Sequence, residues 1–123
     1  MQAMKGQRAA QIASLADLVG MIEAGSLARL SAVSDERLAT LGALGRLQAD
    51  TSAAQDIGGL DDLRILARHQ QWRQQRRATL NIRLAAQTAE WQDKRQKAAR
   101  DVARANVARR LAAKAMRERL RRG

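Results

Sequence analysis

Few residues of this chain have the type and spacing that catalysis needs. There is one histidine, His69, no cysteine, and no G-x-x-x-x-G-K-[ST] phosphate loop. Set among arginines and glutamines, His69 reads as a solvated helix residue. Asp50, Asp56, Asp61 and Asp62 invite a calcium reading, yet they lack the alternating D-x-D-x-D spacing of an EF-hand loop and read as turn and cap residues. The expectation is therefore no catalytic residue, no metal, no cofactor and no enzyme.

What remains is recognition chemistry. Trp72 lies in "HQQWRQQRR", outside the main seam, where an exposed indole flanked by Arg73 and Arg76 would make a protein-binding anchor. The same ring can instead lie over its own helix, stacked on Arg68 or Arg76. Trp91 continues an apolar run from Leu84 and reads as core. Two tryptophans nineteen residues apart make a poor platform for stacking bases.

The closing stretch, Lys94 to Gly123, carries twelve basic and two acidic residues. At 100° per residue, Ala98, Val102, Ala105, Ala112, Met116 and Leu120 share one narrow sector, with Arg109 intruding. Lys97, Arg100, Arg104, Arg110, Lys114, Arg117 and Arg121 spread over most of the remaining circumference, and Val107 and Leu111 form a second apolar spot. A helix lying on a membrane gathers its basic residues opposite a wide apolar face, and this one does not. Phosphate binding needs only positive charge, which arginine supplies well, so nucleic acid stands as an alternative to a protein partner.

These side chains need elements to hold them. The 123 residues include no proline, tyrosine or phenylalanine, and Ala and Leu alternate with charged residues almost throughout. That composition suits thin helical packing and predicts an all-α, elongated, antiparallel two-helix coiled-coil hairpin with a longer, basic second helix. The segment "ADTSAAQDIGGLDDL" predicts the turn. Gly58 and Gly59 offer positive-φ conformations, Ser52 with Gln55 suggests a capping box, and Asp61 and Asp62 suit the positive end of the next helix dipole. One hairpin follows: a helix over about 7–48, a connection over about 49–59, and a helix over about 60–121.

Leu15, Val19, Ile22, Leu27, Leu30, Leu38, Leu41 and Leu44 predict the seam of the first helix. The step from Ile22 to Leu27 is out of phase between Gly20 and Gly25, which predicts a kink or slip there, with "SAVSDE" a second weak point. Leu60, Leu63, Leu66, Leu80, Leu84 and Trp91 lead into the closing seam of the second helix, which overhangs the first. Polar residues between Leu66 and Leu80 predict loose pairing.

Charge is divided unequally. Met1–Gly59 carries 5 basic and 6 acidic residues, 5 − 6 = −1, and Leu60–Gly123 carries 18 and 6, 18 − 6 = +12. The excess leaves a strongly positive ridge that must face solvent or a negatively charged partner. The thin Ala-rich seam leaves a homodimer open. The apolar run near the N-terminus is interrupted by Asp17 and Glu23, which predicts neither a signal peptide nor a membrane span, hence a cytoplasmic protein without membrane insertion.

A basic helical hairpin whose second helix reads "RHQQWRQQRRATLNIRLAAQTAEWQDKRQKAARDVARANVARRLAAK" resembles the stalk proteins of bacterial flagellar and type III export machines, the FliJ/YscO group. The resemblance is one of architecture and composition over most of the chain. It implies a stalk that inserts its helix ends into a hexameric export ATPase and meets the export gate, so that the protein sits peripherally at the inner face of the membrane. By the same resemblance Trp72, Arg73, Arg76 and Leu80 face the gate, and Arg109 through Arg122 face the ATPase ring.

Overall fold

A computed structural model describes residues 2–49 and 59–122, and the side chains of α1 from Gly6 onward. Two helices account for nearly all of it: α1, Gln2–Ala49, and α2, Leu60–Arg122. They pack against each other antiparallel, and no strand occurs among the described residues, so the all-α hairpin is the fold. The chain divides into two compact units, Met1–Ser31 with Gln92–Gly123 and Ala32–Trp91.

At the start of α2, the Gly59 carbonyl accepts the first helical hydrogen bond, from the Leu63 N–H at 3.1 Å. Gly59 does not have positive φ, so it flanks the N-terminus of α2 rather than closing α1. Asp61 and Asp62 occupy the first turn, as the dipole favours. The capping box at Ser52 and Gln55, and Gly58, lie outside the described residues.

Within the first unit, the inward positions of α1 are Ala9, Ile12, Ala16, Val19, Glu23, Ser26 and Leu30. Their steps alternate between three and four, the spacing of a heptad seam. The expected slip between Ile22 and Leu27 does not occur. Ile22 and Leu27 are 55% and 45% exposed, while Glu23 and Ser26 take the inward places. α1 is helical throughout Gly20 and Gly25. Opposite lie Ala98, Asp101, Ala105, Ala108 and Ala112 of α2, with Ala105 wholly buried. Met116 and Leu120, expected in this seam, are 65% and 77% exposed. Small side chains let the helices approach closely, and the long ones are left outside.

In the second unit, Val33, Arg37, Thr40, Leu44 and Leu47 of α1 face Arg73, Leu80, Leu84, Gln87 and Trp91 of α2. Leu38 is 57% exposed and sits outside the seam that the sequence assigns it to. An Arg73 guanidinium N–H donates to the Leu47 carbonyl at 2.7 Å. α1 ends at Ala49, two residues beyond Leu47, whereas α2 begins thirteen residues before Arg73, at Leu60. The extra length of α2 in this unit thus lies at the connection end. The polar stretch between Leu66 and Leu80 leaves a groove of about 450 Å³, lined by Leu44, Leu47, Gln70, Arg73, Arg77 and Asn81 among others.

Candidate protein-binding surfaces

Polar residues fill part of the interface between the helices, and several have a partner across it, while Thr40 donates to the Glu36 carbonyl of its own helix at 3.2 Å and the Gln87 Oε1 is buried without a hydrogen-bond partner. In the first unit the Ser26 hydroxyl donates to the Asp101 carboxylate, both side chains being buried at 3% and 4% exposure. Glu23 accepts from Arg109 at 2.5 Å, an ion pair in which the arginine remains half exposed. Arg109 also donates to Asn106 at 3.2 Å. In the second unit, Arg37 donates to the Thr88 hydroxyl at 3.1 Å and lies 5.0 Å above the Trp91 ring. Trp91 is accordingly an interface residue, with a cation held over its face. None of these pairings is marked by an apolar period, and a polar residue on a seam is recognisable only once its cross-helix partner is known.

The first group of candidate residues separates by burial. Leu80 is 2% exposed and packs between the helices, so it cannot also present itself to a partner. Arg73 is half buried and committed to the Leu47 carbonyl, with its Nε enclosed and unpaired. Trp72 and Arg76 remain outside. The indole is 53% exposed and stacks on His69, with ring centres 5.8 Å apart and planes at 24°. The ring therefore lies on its own helix, over the histidine rather than over an arginine, and still offers an open face.

The second group belongs to the other unit. Val107 and Leu111 are 55% and 53% exposed. Arg110, Lys114, Arg117 and Arg121 are exposed around them, and Arg117 returns one N–H to the Ala113 carbonyl at 3.4 Å. Arg109 is the member spent internally, on Glu23. The sequence reading missed that pairing, and it missed Ser26 and Asp101 altogether. It also placed Leu15 and Ile22 in the seam, although both project outward at 57% and 55% exposure.

Among the described residues, no three His, Asp or Glu side chains gather as a metal site requires. No described helix is long and apolar enough to cross a membrane. No family model, curated protein or solved structure matches the chain.

Proposed function

We propose that the chain is a non-enzymatic helical-hairpin adaptor that binds other proteins, and that its most concrete form is the export-ATPase-associated stalk which the sequence resemblance implies. The observation that carries the reading is the distribution of side chains on α2. Val107 and Leu111 are more than half exposed beside Arg110, Lys114 and Arg121, although alanine occupies the buried places nearby at Ala105 and Ala108, and Trp72 is likewise more than half exposed. Apolar and aromatic side chains held outside on a rigid helix are the usual anchors of protein interfaces. A peripheral position at the inner face of the membrane, through a protein complex, follows from the same role.

The second reading is an architectural protein that holds nucleic-acid phosphates with its closing arginines. Arg110, Lys114, Arg117 and Arg121 favour it, because they face solvent rather than Glu or Asp of α1. Capture by the tagged full chain from nuclease-treated lysate at moderate salt separates the two. For the adaptor, an ATPase or gate component is retained, and Trp72→Ala or Leu111→Lys releases it while the circular-dichroism spectrum stays unchanged. For the phosphate binder, nucleic acid is retained before nuclease and nothing after it, and affinity follows salt and arginine number rather than Trp72.

A further inference from the structure

The first unit carries an apolar patch built from both helices, and the register fixes its two sides. At 100° per residue, Gly20 and Ile22 lie on opposite flanks of Glu23, and Arg109 and Leu111 lie on opposite flanks of the line through Ala108 and Ala112. Arg109 is bonded to Glu23, and its guanidinium lies 4.0 Å from where a Cβ on Gly20 would stand. The Gly20 and Arg109 flanks therefore adjoin. On the other side the Ile22 and Leu111 flanks must adjoin as well.

Leu15 and Leu18 extend that second flank along α1, and Val107 extends it along α2. The five side chains, Leu15, Leu18, Ile22, Val107 and Leu111, are 57%, 58%, 55%, 55% and 53% exposed. Arg29, Arg100, Arg104 and Lys114 are exposed on the same flank, with Asp93 and Glu118 the acidic residues there. An apolar centre with a basic rim is asymmetric in its demands. A second copy would bring its own basic rim against this one, and like charges across an interface repel.

We propose that this flank receives an acidic amphipathic helix from a partner protein. A stripe of apolar residues at three- and four-residue steps packs on these five side chains along the flank where α1 and α2 meet, and Asp or Glu beside the stripe meets Arg29, Arg100, Arg104 and Lys114. The inference rests on the adaptor reading and gives that partner its chemistry.

The probe is a fluorescein-labelled synthetic helical peptide with leucines at heptad spacing between glutamates, titrated with the full chain at about 0.15 M salt. A matched peptide with lysine for glutamate is the control. Saturable binding of the acidic peptide is expected, weakened by at least about tenfold in Ile22→Glu, in Leu111→Glu and in the double variant Arg100→Glu/Arg104→Glu. Leu38→Glu, equally exposed in the second unit, leaves it unchanged, and circular dichroism confirms that each variant is folded. The proposal is overturned if the lysine peptide binds as well, if the apolar variants bind like the parent, or if sedimentation shows a dimer that Leu111→Glu dissociates. Failure of the acidic peptide while a Trp72-dependent protein partner is still captured removes this surface and leaves the adaptor reading standing; loss of both removes both.

Discussion

Replacing Ser26 by alanine tests whether the polar seam holds the first unit together. The substitution deletes one oxygen, leaves no sizeable cavity, and strips a buried Asp101 of its hydrogen-bond donor. A hydrogen bond to a charged group contributes about 1.5–3 kcal/mol, and Ser26→Ala should cost that much. With a urea slope of about 1.5 kcal/mol/M, the unfolding midpoint followed by helical circular dichroism falls by about 1–2 M. Asp101→Ala is gentler, costing under about 1 kcal/mol, because it removes the charge and the orphaned Ser26 hydroxyl can turn to the Ile22 carbonyl one turn back. The double variant should then match Asp101→Ala within about 0.5 kcal/mol, and the cycle returns a coupling above about 1 kcal/mol. High salt should not rescue Ser26→Ala, since both groups are shielded from solvent. Additive single effects, or a Ser26→Ala variant as stable as the parent, would refute the idea that this buried pair holds the first unit together.

Three further outcomes follow from burial and space. Arg109→Gln should cost under about 1 kcal/mol and the difference should vanish in about 1 M salt, because the arginine is 52% exposed; thermal melts at two salt concentrations check this. Leu80→Ala should cost about 2–5 kcal/mol, the largest single loss in the second unit, and Leu38→Ala should cost almost nothing in the same urea titration. Gly42→Ala and Gly45→Ala should each stabilise α1 by roughly 0.5–1 kcal/mol, since a Cβ at either position meets nothing within 4 Å; a lower melting temperature in either would contradict the helix geometry.

The helix boundaries were legible because the chain between them has few signals against helix. The expected spans of about 7–48 and 60–121 stand beside Gln2–Ala49 and Leu60–Arg122. The interior of α2 contains neither glycine nor proline, and nothing competes with helical hydrogen bonding. The seam was read less well, and for a definable reason. Hydrophobic periodicity marks positions that lose water, and it is silent about a serine or a glutamate whose loss of water is compensated across the interface. Following apolar residues alone therefore selected Ile22 and Leu27 where the helices place Glu23 and Ser26, and required a slip that the structure lacks. On α2 the same rule preferred Met116 and Leu120 to Ala108, although closeness of the helix axes favours the smaller side chain.

That misreading bears on function. If a two-helix seam accepts only every third or fourth residue, and alanine, serine and aspartate occupy many of those places, the larger apolar side chains cannot all be structural. Leu15, Leu18 and Ile22 exceed what the seam of the first unit admits, as do Val107 and Leu111. Their number on one flank is what the proposed amphipathic helix would need beneath it, and the basic residues beside them would favour an acidic one. The apolar residues that fall out of phase with the seam thus carry as much meaning as those in phase. In a hairpin with so small an interior they mark the surface that the proposed partner would cover, apart from the surface the chain uses itself.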